Sequence, residues 1–192
     1  MSAVALRQWK DSDFELYFEM NTDPEVMRHF PAVYTRQEAS DSLNRMRSGI
    51  DERGWGVWAV DVDEVFAGMT GLLTPRFAAP FTPCIEILWR FRRQFWGRGL
   101  AYAAAVQAMA YGFSTLRLTE IVAFTAVSNL RSIRLMERLE FTRDIEGDFE
   151  HPRIPPGHPL RHQVLYRKKP NQSSDPALSS GTSRAGHEPR HR

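Results

Sequence analysis

The chain has 192 residues and a mass of 22.1 kDa, room for one ordinary domain or two very small ones. With 42% hydrophobic and 25% charged residues it has the mix of a globular protein and is too apolar to be disordered. Its 25 lysines and arginines face 23 acids, and the resulting net charge of +2 is too balanced for a nucleic-acid coat.

Cys84 stands alone, which excludes an intrachain disulfide and a cysteine-based zinc site. The first seven residues lack the apolar core of a secretory leader. The longest mostly apolar stretch, residues 100–113, is too short for a membrane helix. A cytoplasmic protein with no membrane partner is the expectation.

In chain order, residues 4–7 are predicted as a first strand. Asp11 or Ser12 is placed to cap a helix carrying Phe14, Leu16, Tyr17 and Met20. Thr35, with Glu38 three residues on, has the form of a capping box. The helix it opens runs to about residue 53, with Ala39, Leu43, Met46 and Ile50 inward, and Gly54 and Gly56 bracket the change to strand. Residues 55–61 and 65–73 flank Val62-Asp63-Glu64 as a hairpin. A strand over 84–91, an alanine-rich helix over 100–113 and a strand over 120–125 follow. A helix over 129–139, with Ile133 and Met136 inward, leads to closing strands over 141–149 and 163–166. This order predicts a mixed α/β architecture, a central sheet covered by helices. One domain over residues 1–169 is expected. The 170–192 tail has five serines and only Leu178 as a large aliphatic, so it buries too little to offset its ordering entropy. His187 and His191 there read as a solvated polar end.

The most informative stretch is Arg90-Phe91-Arg92-Arg93-Gln94-Phe95-Trp96-Gly97-Arg98-Gly99-Leu100-Ala101, where a strand ends and a helix begins across two glycines. Glycine allows positive φ and close approach of a ligand, and the unpaired first-turn N–H groups add partial positive charge. Together they form a phosphate socket, with arginines at 90, 92, 93 and 98 nearby. A Walker loop is excluded because no Gly-Lys-Ser/Thr end follows, and the dinucleotide fingerprint fails at Tyr102.

Gln94-x-x-Gly97-x-Gly99 instead resembles the acetyl-CoA pyrophosphate loop of the GNAT acetyltransferases. The wider string from Glu86-Ile87 to Leu100-Ala101 looks like the branch containing the RimJ/RimL ribosomal-protein N-terminal acetyltransferases. Downstream, Asn129-Leu130-Arg131-Ser132 through Glu140-Phe141 resembles the family's Asn-x-x-Ser segment ending in Gly-Phe. The likeness covers residues 6–166. It implies a twisted, mostly antiparallel sheet whose fourth and fifth strands splay apart, with pantetheine in the gap bonding the fourth strand as an added strand would. By that resemblance Trp89, Arg90 and Phe91 contact pantetheine. Gln94, Gly97, Arg98, Gly99, Leu100 and Ala101 hold the pyrophosphate of acetyl-CoA, and Asn129, also a natural N-cap, lies near the pantetheine arm. No metal is implied.

Two departures stand out. Glu140 occupies the place of the glycine that ends the helix, and Met136 replaces the tyrosine that serves many superfamily members as general acid. Ser132, where the chain resembles the RimL-like branch, is by that resemblance the candidate donor to the leaving sulfur, against an ordinary first-turn serine. Glu86 is the candidate base, directly or through water, against an ion pair with a nearby arginine. The resemblance also implies oxyanion-binding N–H groups at a bulge near Leu88. Cys84 reads as a core residue rather than a nucleophile.

The resemblance implies acetyl transfer to a primary amine, either a peptide N-terminus or a small molecule. Two other readings remain: a catalytically silent CoA-binding or regulatory domain, and a nucleic-acid module using Phe91, Phe95 and Trp96. The Pro/His-rich residues 151–162 read as a rigid loop bordering the acceptor rather than a metal site. Monomer and homodimer both stay open, with Trp58, Phe66 or Phe81 on an outer face as the sign of dimerisation.

Overall fold

The computed structural model describes residues 2–170. The predicted tail, with His187 and His191, lies outside the described residues apart from Pro170. Strand β1 (Val4–Arg7) is followed by helices α1 (Phe14–Thr22) and α2 (Arg36–Arg53), then strands β2 (Val57–Val62), β3 (Val65–Leu73) and β4 (Glu86–Phe91). Helix α3 (Leu100–Ser114), β5 (Ile121–Ala126), α4 (Leu130–Arg138), β6 (Thr142–Glu150) and β7 (His162–Lys168) complete it.

Local signals explain most boundaries. Thr35 accepts from the Glu38 N–H while Glu38 reaches back, the capping box that starts α2. The β2–β3 hairpin turns on Asp63 and Glu64, both at positive φ (50° and 67°), the geometry of a two-residue type I′ turn made here without glycine. The start of α1 differs from expectation. Neither Asp11 nor Ser12 caps it; a 3-10 turn, Asp11–Asp13, precedes the helix. Asp13 is buried and held by Arg7 at 2.7 Å, and Arg7 also grips Asp61 at 2.6 Å, so a tertiary ion pair sets this entry.

The strands form one sheet in the order β1-β2-β3-β4-β5-β7-β6. Every pairing is antiparallel except β4–β5, which is parallel and meets at a single register pair, Glu86 with Val122. On one face α1 and α2 pack Tyr17, Met20 and Leu43 with Trp9, Phe66 and Met69 of the sheet side. On the other, α3 and α4 pack Ala105, Ala108, Met109 and Met136 with Leu72, Ile87 and Ile121. Ala104, Ala105 and Ala108 of α3 are fully enclosed, which lets that helix close on the strands beside the gap. Of the aromatics named as signs of an outer dimer face, Phe66 is buried, and Trp58 and Phe81 are half-buried. Phe66 is core, Trp58 packs edge-on against Tyr111, and Phe81 joins Phe124 and Phe149.

Helix α4 ends in a Schellman turn. The Phe141 N–H bonds Met136 O at 3.0 Å, the Glu140 N–H bonds Glu137 O at 2.9 Å, and Glu140 itself sits at φ 60°. An L-residue there costs about 1–2 kcal/mol, and the exposed Lys168 pair returns little of it. Glu140→Gly is expected to stabilise the fold by about 0.5–1 kcal/mol, after glycine's own entropy cost. A melting temperature at or below that of the wild type would contradict this.

Candidate active site

Because β4 and β5 separate after one residue pair, a cleft of about 1110 Å³ runs through the sheet between them. It is bordered by Gly97, Gly99, Leu100 and Ala101 at the start of α3, and also by Glu86, Arg90, Phe124 and residues 28–31 of the α1–α2 connection.

The α3 end is built for an anion. Gly97 and Gly99 both sit at φ 73°, and a Cβ added to either would meet no atom within 4 Å. The first intrahelical bond runs from the Ala103 N–H to Gly99 O, so the N–H groups before it have no acceptor within the helix. Of the predicted pyrophosphate residues, Gln94 and Arg98 do not border this cleft. Gln94 lies in the 3-10 turn Arg93–Phe95 and lines a separate hollow of about 420 Å³ with Glu19 and Arg92. Arg98 reaches Ser2 at 3.3 Å. The cationic charge comes from α4 instead. Arg131, Arg134 and Arg138 border the cleft, with Arg131 over the Trp96 ring at 4.5 Å and Arg138 over Tyr102 at 4.4 Å. Their spacing of three and four is a stripe on one face of α4, remote in sequence from the glycine loop.

Strand β4 divides its work by parity. The Arg92 N–H bonds Ala67 O on the β3 side, and Ile85 O accepts from Val122 on the β5 side. With the two-residue period of a strand, Leu88 and Arg90 turn their backbone groups to β3, while Trp89 and Phe91 turn theirs to the gap. Two corrections follow. The β3–β4 register is unbroken from Gly68–Phe91 to Leu73–Glu86, so the expected bulge near Leu88 is absent. Arg90 has no backbone group for pantetheine, because its amide faces β3. Phe91 O already accepts from the Trp96 indole at 2.8 Å.

Asn129, which borders the cleft, caps α4, accepting from the Ser132 N–H at 3.3 Å. Its amide nitrogen donates to Ser132 Oγ at 3.1 Å and to Thr125 Oγ1 at 2.9 Å. The Trp89 indole also donates to Ser132 Oγ, at 3.3 Å across the gap. Both acceptor positions of the hydroxyl are thus filled and its proton is uncommitted. Met136 is buried beside it.

Glu86 lies on the opposite face of β4, bordering the cleft. Among the described residues no arginine pairs with it. It is half-buried as a residue because one side opens to the cleft, while protein surrounds it elsewhere and desolvation pushes its carboxyl up to about 8. Cys84, nearby, is also half-buried, and burial followed by the Glu86 charge pushes its thiol up to about 11, the opposite of an activated nucleophile. Of the Pro/His-rich loop, His151 and Arg153 border the cleft. Among the described residues no three His, Cys, Asp or Glu side chains stand together to hold a metal. No helix among those residues is long and apolar enough to cross a membrane. The borders from the α1–α2 connection and from Phe124 and Gln163 were missed in the sequence, which carries no spacing signal joining them.

A twisted α/β sheet parted between its fourth and fifth strands, with a glycine-lined helix start at the parting, is the GNAT architecture. An acetyltransferase (GNAT) domain matches residues 4–142, and the chain belongs to that family. It is 27% identical over 164 residues to the uncharacterized N-acetyltransferase YnaD of Bacillus subtilis, covering 85% of this chain and 91% of that one. Among solved structures, spermidine N-acetyltransferase from Vibrio cholerae in complex with CoA and spermine superposes with a TM-score of 0.68 at 18% identity, over 86% of this chain and 95% of that one. RimL, a ribosomal L7/L12 alpha-N-protein acetyltransferase in complex with coenzyme A, gives 0.68 at 14%, over 86% and 93%.

Proposed function

We propose that the chain is an acetyl-CoA-dependent N-acetyltransferase that moves the acetyl group to a primary amine by direct attack, in a branch resembling RimJ/RimL. The observation that carries this reading is the single cleft joining the open glycine socket of α3 to Glu86 through the parted strands. The acetyl-CoA or CoA complexes of structural neighbours support it.

Acetyl-CoA supplies an acetyl thioester, and the rest is done by side chains and backbone of this chain. Gly97, Gly99 and the first turn of α3 bind the diphosphate, helped by the α4 arginines. Trp89 and Phe91 hold the pantetheine arm along β4, and the Trp89 N–H is the available oxyanion donor in place of Leu88. Glu86 takes the proton that the amine loses on attacking the thioester carbon. Its value of about 8 matches an α-amino group at about 7.7–8.0, so the transfer is nearly balanced in energy. Ser132 gives a hydrogen bond to the departing sulfur, which leaves as the C–S bond breaks.

A hydrogen bond to a charged group is worth about 1.5–3 kcal/mol, so Ser132→Ala is expected to lower kcat roughly 10- to 100-fold. Acetyl-CoA affinity, read by calorimetry, should change little; an unaltered kcat removes Ser132 from the reaction. The reading as a whole is tested by thiol release across an amine panel that includes peptides beginning Ser, Ala and Lys. Binding of acetyl-CoA with no acceptor turned over would favour a silent CoA-binding domain.

A further inference from the structure

A cluster of aromatic rings that the acetyl-transfer steps do not use stands beside the cleft. Phe77 and Phe81 come from the β3–β4 connection, Phe124 from β5, Phe149 from β6 and His151 from just past its end. Phe124 is at the centre, with ring centroids of Phe149 at 5.3 Å, Phe77 at 5.8 Å and Phe81 at 6.0 Å. His151 lies 4.7 Å from Phe77 and 6.4 Å from Phe124. Phe149 is buried and the others are half-buried; Phe124 and His151 border the cleft. Edge-on and tilted ring contacts fix orientation as well as position, so Phe124 is presented to the cleft as a rigid apolar wall.

That wall shares a sheet face with Glu86. Glu86 is in register with Val122 across the parallel pair, and Phe124 follows Val122 by two residues. Ile87 of β4 and Ile121 and Ala123 of β5 join the core under α3 and α4, so Glu86 and Phe124 both project from the other side of the sheet. Strand spacing and rise put their Cα atoms roughly 8–10 Å apart. The charges leave this stretch to a neutral group. Among the described residues, Glu25 and Glu86 are the acids bordering the cleft; Glu25 is paired with Arg28 at 3.3 Å, and burial keeps Glu86 mostly protonated at neutral pH. A polycation therefore finds no free carboxylate. Outside α4 the bordering arginines have partners within the chain: Arg28 has Glu25, Arg90 donates to Asn21, and Arg153 donates to the Arg76 carbonyl. His151 is held below its ordinary value, first by burial and then by Arg153. Its Nδ1 accepts the Arg153 N–H at 3.2 Å, which leaves a neutral ring with its proton on Nε2.

We infer that the acceptor is a small arylalkylamine, its ring against Phe124 and its primary amine at Glu86. This deepens, and rests on, the acetyl-transfer reading. The amine nitrogen bonds the acetyl carbon, its proton passes to Glu86, and the thiolate departs as the C–S bond breaks. An apolar surround lowers the pKa of an alkyl amine, which favours the neutral form that attacks. The test uses the full chain with acetyl-CoA and a set of acceptors: phenethylamine, propylamine, phenylalanine, spermine, and peptides beginning Phe or Ser.

Phenethylamine is expected to exceed propylamine in kcat/KM by roughly tenfold or more, about 1.4 kcal/mol. In Phe124→Ala that advantage should collapse to within about twofold, chiefly through KM, because the ring that the acceptor packs on is gone. Thermal melting and acetyl-CoA calorimetry check that each variant is folded. Should Phe124→Ala not fold, Phe124→Leu, which keeps apolar bulk in the cluster, is expected to lose most of the advantage. Equal turnover of the two amines by the wild type overturns the inference and leaves acetyl transfer standing. So does a preference for spermine, phenylalanine or a peptide N-terminus, or an aromatic advantage that survives in the folded Phe124 variant. Acetyl-CoA binding with no amine acetylated overturns both.

Discussion

Gly99→Trp is expected to weaken acetyl-CoA binding roughly hundredfold or more, a loss of about 2.8 kcal/mol. Gly99 is the N-cap of α3 at φ 73°, it borders the cleft, and no atom stands within 4 Å of where a Cβ would be. An indole there fills the space that an anion needs against the unpaired N–H groups of the first helical turn. The substitution also carries a backbone cost of about 1–2 kcal/mol for leaving glycine at positive φ, so its melting temperature should fall by several degrees. Gly99→Ala bears the same backbone cost without the bulk and separates the two effects: it should melt like the tryptophan variant while retaining most of the affinity. Calorimetric titration giving wild-type affinity for Gly99→Trp would remove the socket, and the enzyme reading with it.

Glu86→Gln is expected to lower kcat/KM about hundredfold near pH 8, the lower range for loss of a positioned base. Its signature is in the pH profile. With a weakly basic acceptor that stays neutral throughout, the wild-type rate should rise with pH through about 8, where Glu86 ionises, and the variant profile should be flat. Coinciding profiles would exclude Glu86 as the base.

The same substitution has a stability effect of definite sign. The folded protein keeps the Glu86 proton from pH 4.5 up to about 8, whereas the unfolded chain has lost it, so this group draws stability down as pH rises across that window. Wild type and Glu86→Gln should therefore melt alike near pH 4, and the variant should melt higher at pH 9. A wild type that melts higher at both would mean that Glu86 is stabilised as a carboxylate.

The parts legible in the sequence were those whose cause is local. The Thr35–Glu38 box, the turn around Asp63, the glycines at 97 and 99 and the Asn129 cap each act over three or four residues, and each is found where the pattern placed it. The places of Gln94 and Arg98 were misjudged because a motif gives spacing but not which side of a short turn faces the cleft.

The sequence alone determined the elements and the glycine loop, because backbone propensity, capping and positive-φ demands are settled between near neighbours. Only the tertiary structure decided what the cleft is. Parting β4 from β5 leaves Trp89 and Phe91 facing a gap and brings Ser132 under the Trp89 indole, while the fold sets Arg90 against Phe30, sixty positions earlier in the chain. Desolvation of Glu86 and the setting of Arg90 between Asn21 and Phe30 are properties of that enclosure. They depend on what surrounds a charge in space, and no pattern along the chain encodes it.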